Sequence, residues 1–254
     1  MSLFTDCHTV DVWVTADADI NNLVVLADYR NLLNEEEIVA MNVFAFEHLR
    51  KQYLITRALL RQTLSFYEPS VHPSEWCFGK GEYGKPFITS HAFEMPLHFN
   101  LSHTEGRVVL AISREHSVGV DIEYVKRGID ADEISKSFFA PNEIDYLQML
   151  NRSERELKFF EIWTLKESYI KAVGKGLNIP LQDFHFSFSA FGKITIAFSE
   201  NLIDMPHLWV FHQYQLEDNY CLAVATKLAN PSHKPSCVVH TILQRNLELL
   251  TFSH

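Results

Sequence analysis

Asp121 and Glu123 stand two apart in the run Val118-Gly119-Val120-Asp121-Ile122-Glu123. On a β-strand alternate residues share a face. Val120 and Ile122 then point to a core, and the two carboxylates project together on the other side. Like charges so placed repel, and something must compensate. Solvent does so on an exposed strand. The sharper alternative is a hard divalent cation such as magnesium, which takes oxygen ligands and keeps phosphate oxygens in its shell. A further carboxylate lies in the run from Trp163 to Gly176, where Glu167 and Lys171 are four apart. They share a helical face. They read either as a local ion pair worth a few tenths of a kcal/mol or as an acid and a cation at a phosphate site. Trp163, one turn earlier, reads as a packing anchor.

Phe99-Asn100-Leu101-Ser102-His103-Thr104 sets a hydroxyl beside an imidazole. Adjacent side chains diverge, and no acid is placed to orient the histidine, so a hydrolase triad is excluded. The pair reads instead as polar groups that open a strand at Arg107 and suit phosphate contacts. Tyr83-Gly84-Lys85-Pro86 is a tight turn presenting a lysine, alone an ordinary surface turn. Arg50, Lys51, Arg57 and Arg61 fall in a stretch to Phe66 that has no acid. At about 100° per residue, Arg50, Arg57 and Arg61 lie within roughly 40° of one another on a helix. That stripe is either a solvated face or a local anion site.

These residues need elements to hold them. The spacing predicts strands over 10–14, 107–113, 118–123, 184–188, 194–198, 208–214 and 220–226. Asn34 is a helix cap followed by Glu35, Glu36 and Glu37, where acids favour the helix dipole. Helix then runs, with or without a break, to about Phe66. Pro141 and Asn142 open another helix, and a long one spans Glu154 to Val173 and stops at Gly174. The segment from Cys237 to Phe252 has no clear pattern. The expected organisation is α+β, with two similar halves that each carry one long helix and several strands.

Composition narrows the function. The chain has 254 residues, 47% hydrophobic and 21% charged, with a net charge of -10. That balance argues against a nucleic-acid footprint. No apolar run approaches the roughly 18 residues of a membrane span. Cys7, Cys77, Cys221 and Cys237 show no metal-ligand spacing and read as reduced thiols of a cytoplasmic protein.

In order along the chain, Gly84-Lys85-Pro86, Phe99 to His103, Gly119 to Glu123, and Trp163 to Lys171 with its glycine-rich end resemble the motifs of the Sfp-type 4'-phosphopantetheinyl transferases. Phe138-Phe139 with Glu143 resembles the helix that the family places between the last two. The likeness spans Gly84 to Leu177. It implies an intramolecular pseudo-dimer of two subdomains, residues 1–115 and 116–254, with coenzyme A as substrate in the cleft between them. Asp121, Glu123 and Glu167 would hold magnesium, or manganese. Glu167 would also deprotonate the acceptor serine, directly or through a water on the metal, and Lys171 would neutralise the pyrophosphate. Arg50, Arg57, Lys85, Ser102 and His103 would contact phosphates. The partner implied is an acyl or peptidyl carrier protein, met by a monomer with no role for nucleic acid or membrane. The alternative is a silent module of the same fold that binds carrier protein or coenzyme A without transfer.

Overall fold

The structure is a computed structural model that describes residues 9–17, 20–89, 96–126, 128–189, 191–217, 219–242 and 249–251. Alternation decides its layers. In β1 (Thr9–Ala16) Val10, Val12 and Val14 face one way and Trp13 the other. β1 pairs antiparallel with β5 (Arg107–Ser113), which pairs with β4 (His98–Thr104). On its other side β1 runs parallel to β11 (Ser236–Ile242), followed by β12 (Leu249–Thr251). A second, antiparallel sheet has the order β6 (Ser117–Tyr124), β10 (Tyr220–Lys227), β9 (Trp209–Leu216).

The two sheets meet through their valine-rich faces. Val10, Val12, Val109 and Ala111 of the first pack with Val118, Val120, Leu222 and Val224 of the second. Each outer face takes one long helix. α3 (Glu47–Tyr67) lays Ile55, Leu59, Leu60 and Leu64 on Trp13, Leu110 and Ile112. α6 (Arg152–Val173) lays Leu165, Tyr169 and Ala172 on Trp209, Phe211, Ala223 and Ala225. The layers therefore run helix, sheet, sheet, helix, an α+β architecture.

The expected strands and long helices are present. Asn34 caps α2 (Glu35–Val43) with a reciprocal capping box to Glu37, and the break falls at Phe44, before α3. Asn151 caps α6, and Gly174 ends it with φ 80°. One expectation changes. The segment holding Ser102 and His103 does not merely open the strand at Arg107; it is the separate strand β4, antiparallel to β5. Glu105 and Gly106 supply enough turn to reverse the chain, Gly106 at φ 79°. Besides β11 and β12, two helices carry no clear sequence signal. α1 (Leu23–Asn31) buries none of its residues, and α4 (Ala131–Phe138) precedes α5 (Pro141–Gln148). The Lys85 turn joins the ribbon of β2 (Phe78–Lys80) and β3 (Pro86–Ile88), and β7 (Phe184–Phe188) pairs with β8 (Ile194–Phe198).

Gly119 governs how α6 lies on β6. A Cβ there would stand 2.1 Å from the Ser168 carbonyl oxygen and 2.4 Å from the Ala172 nitrogen. Both are backbone atoms of α6 and cannot swing aside. Gly119→Ala should therefore push α6 off the sheet and cost about 3 kcal/mol as overpacking. Urea denaturation checks this, with a substitution at an exposed position, Glu200→Ala, as the neutral control.

Candidate active site

β4 and β6 are edge strands of different sheets, and the predicted chemistry gathers where they meet under α6. Asn100 Oδ1 accepts the Val120 backbone N–H at 2.9 Å. Ser102 Oγ donates to Asp121 Oδ1 at 2.9 Å, and Thr104 Oγ1 donates to Glu123 Oε2 at 3.2 Å. Alternate β4 side chains thus stitch to Val120, Asp121 and Glu123 on β6. From α6, Lys171 Nζ lies 2.6 Å from Asp121 Oδ1 and donates to Ser102 Oγ at 2.9 Å. Lys171 therefore bridges two chain segments in place of the local helical pair that its spacing also allowed.

Glu123 and Glu167 share the strain of this crowding. Desolvation, reinforced by Asp121, pushes the Glu123 carboxyl up to about 7. Desolvation and then Asp121 also push Glu167 up, while Lys171 pulls it back. Desolvation, followed by the Lys171 ammonium, pushes the His103 imidazole below its ordinary value.

The structure brings Asp121, Ser102 and Lys171 into direct contact and sets Glu123 and Glu167 within their field. The other expected contacts lie further out. Lys85 Nζ donates to the carbonyls of Val118 (3.1 Å) and Ala172 (2.7 Å), and burial pushes its pKa down to about 8. It lines a cavity of about 350 Å³ with Phe87, His98, Ser117 and Gly174. Arg50 donates to the carbonyls of Phe44 and Ala45. Arg57 pairs with Glu37 and lies over the Phe78 ring, 4.7 Å from its centre. Arg61, fully buried, shares Glu37 and donates to the carbonyls of Pro73 and Trp76. The basic stretch of α3 is thus answered by an acid one helix earlier.

Trp163 packs on Phe138, Phe139 and Phe159 as expected. Its neighbour in the motif, Lys166, is a structural residue that the sequence did not separate from Glu167. Lys166 is buried, pairs with Glu143 at 2.8 Å, and donates to the carbonyls of Leu181 and Phe184. Asn100 and Thr104 were also missed as site residues. Their alternation with Ser102 on one strand is the signal that could have found them.

Among the described residues no three His, Cys, Asp or Glu side chains already close on a metal position. The donor chemistry nonetheless fits a hard cation. Asp121 Oδ2 is buried and takes no hydrogen bond, a costly state that a cation would relieve. Two raised carboxyls beside it carry the same frustration, and oxygen donors suit magnesium or manganese.

The Glu123 shift has a sign that can be tested. Its carboxyl ordinarily titrates at 4.5 and is held here at about 7, so the folded protein binds that proton more tightly than the unfolded chain. The resulting stabilisation is complete below 4.5 and is lost as pH rises through about 7. Metal-free protein should lose Tm across that window. Glu123→Gln should lose less, as read by thermal denaturation in EDTA.

Residues 117–225 match the model of the 4'-phosphopantetheinyl transferase superfamily, and residues 24–115 match that of the 4'-phosphopantetheinyl transferase N-terminal region. The 4'-phosphopantetheinyl transferase gsp of Aneurinibacillus migulanus is 43% identical over 131 residues, which are 52% of this chain and 50% of that protein. The chain thus spans about half the length of that relative. The 4'-phosphopantetheinyl transferase Sfp of Bacillus subtilis is 33% identical over 172 residues, 67% of this chain and 71% of that protein. Among solved structures, a holo-(acyl-carrier-protein) synthase from Bacillus anthracis in complex with CoA aligns with 45% of this chain and 96% of its own, at 19% identity and a TM-score of 0.38. With adjoining family models over residues 24–115 and 117–225 and a relative of this identity matched over most of its length, the chain belongs to the 4'-phosphopantetheinyl transferase superfamily.

Proposed function

We propose that this chain transfers the 4'-phosphopantetheine arm of coenzyme A to a serine of an acyl or peptidyl carrier protein and releases 3',5'-ADP. The observation that carries the reading is the seam between β4 and β6. There Asp121, Ser102 and Lys171 are hydrogen-bonded together beneath two carboxyls of raised pKa. The relatives' names supply the reaction class.

The acceptor serine Oγ attacks the phosphorus that bears the pantetheine, and the bond from that phosphorus to the ADP oxygen breaks. Glu167 takes the serine proton. Desolvation has already raised its carboxyl, which makes it a better base than an exposed glutamate. Lys171 holds the charge that grows on the departing phosphate, and Ser102, hydrogen-bonded to its ammonium, orients it. His103 and Lys85 flank the route along which the nucleotide phosphates would lie. Asp121, Glu123 and Glu167 would hold magnesium or manganese, which when bound neutralises pyrophosphate charge. No covalent enzyme intermediate is needed for phosphoryl transfer by positioning and charge neutralisation. Arg50 and Arg57 would serve the 3'-phosphate from α3, with Arg57 sharing its guanidinium between that phosphate and Glu37.

We place the protein in the cytoplasm as a monomer. Cys221 and Cys237 are free thiols, and Cys7 lies outside the described residues. Among the described residues no helix is long and apolar enough to cross a membrane.

Mass spectrometry of apo carrier proteins incubated with coenzyme A and magnesium should show a gain of about 340 Da on the acceptor, the mass of the transferred arm. EDTA should abolish the gain. Glu167→Gln keeps an oxygen donor but loses the base, and should lower kcat about 100-fold with coenzyme A still bound. Lys171→Ala should lower kcat by a similar factor. Transfer at full rate in EDTA, or no gain on a broad panel of carriers, would overturn the reading.

A further inference from the structure

We infer that Thr104 is a positioning residue for Glu123: its hydroxyl, on a hairpin clamped from three sides, holds one carboxylate oxygen and turns the other toward a divalent cation. The inference rests on the reading of the site given above.

A glutamate has three rotatable side-chain bonds and loses rotamer entropy when held. Beside Asp121 its charge favours swinging away from the site. Thr104 Oγ1 opposes this by donating to Glu123 Oε2 at 3.2 Å. Threonine suits the task because its β-branch leaves few χ1 rotamers, so the donor is aimed rather than mobile.

The hydroxyl is useful only if its backbone is fixed. Thr104 is the last residue of β4, at the edge of the turn through Glu105 and Gly106. α3 reaches it through Gln52, whose Nε2 donates to the Thr104 carbonyl at 2.8 Å and to Asp17 Oδ2 at 2.9 Å. The segment after β1 reaches it through the Asp17 N–H, which donates to the Gly106 carbonyl at 3.2 Å. β10 reaches it through Tyr220, whose Oη donates to the Glu105 carbonyl at 2.8 Å. A Cβ at Gly106 would stand 2.9 Å from the Tyr220 Oη, so the tip and the tyrosine are in close contact.

The third clamp closes a ring. Tyr220 precedes Cys221, which pairs across the sheet with Glu123 itself. The path from Glu123 through Cys221, Tyr220, Glu105 and Thr104 returns to the Glu123 carboxylate. Every link is a covalent step, a strand pairing or a hydrogen bond. Such a ring fixes the Thr104 backbone relative to the Glu123 backbone without any ligand, and leaves the hydroxyl to restrain the carboxylate. Groups that orient metal ligands in this way are typically worth about 10- to 100-fold in affinity.

The test is Mn2+ binding to the full chain without coenzyme A, followed by electron paramagnetic resonance. Thr104→Val keeps the shape and removes the donor, and should raise the Kd for Mn2+ about tenfold. Thr104→Ser restores the donor and should fall within about twofold of wild type. In transfer assays with coenzyme A and an apo carrier, excess Mn2+ should restore most of the Thr104→Val rate. If Thr104→Val does not fold, Tyr220→Phe carries the test, because it opens the ring while keeping the aromatic packing, and should weaken Mn2+ about threefold. Equal Mn2+ affinity in wild type and Thr104→Val overturns the inference. So do equal losses in the valine and serine variants, or a wild type that binds no Mn2+. A wild type that binds Mn2+ with the expected ranking of variants but modifies no carrier overturns only the transfer reading and supports the positioning role.

Discussion

Two carboxylates on one face of a buried strand repel each other, and the rest of this structure is arranged around that repulsion. Val120 and Ile122 point into the layer between the sheets, so Asp121 and Glu123 must point toward α6. Gly119 lets the helix backbone come within contact of the strand, which brings Lys171 to Asp121 and Glu167 into the same field. Ser102 and Thr104 approach from β4 and supply hydroxyls. The compensation is incomplete. Asp121 Oδ2 keeps no hydrogen bond, and Glu123 and Glu167 remain harder to ionise than ordinary carboxyls. A site left short of positive charge favours an incoming cation.

Two cations elsewhere serve architecture. Lys166 and Arg61 are fully buried, each held against a buried acid and two backbone carbonyls. Removing one partner of such a pair strands a charge and is far more damaging than removing a surface pair. Lys166 and Glu167 are adjacent in sequence yet serve opposite ends of this division. About 100° of helix rotation separates them, which turns the lysine into the core beside Glu143 and leaves the glutamate facing the strand carboxylates.

Much of the site was legible because it rests on short-range patterns. The alternation around Asp121 and Glu123, the four-residue step from Glu167 to Lys171, and the caps at Asn34 and Gly174 are local and appear as read. What stayed hidden depends on partners far along the chain. Arg57 and Arg61 of α3 looked unopposed until Glu37 was placed against them. β4 looked like the approach to β5 because a turn of only Glu105 and Gly106 separates them. Thr104 has a role only in relation to Glu123 and Tyr220, and neither is near it in sequence.

The parallel pairing of β1 with β11 has a consequence for how the chain is made. Thr9 and Ser236 are register partners 227 positions apart. At roughly 5–20 residues per second, a ribosome takes about 11–45 s to travel between them. During that interval β1 has one hydrogen-bonding edge with no neighbour, beside a row of valines. Such an edge is a template for pairing with the wrong chain, and closing so long a loop is slow. The sheet that holds β1 is therefore completed only after β11 has been made.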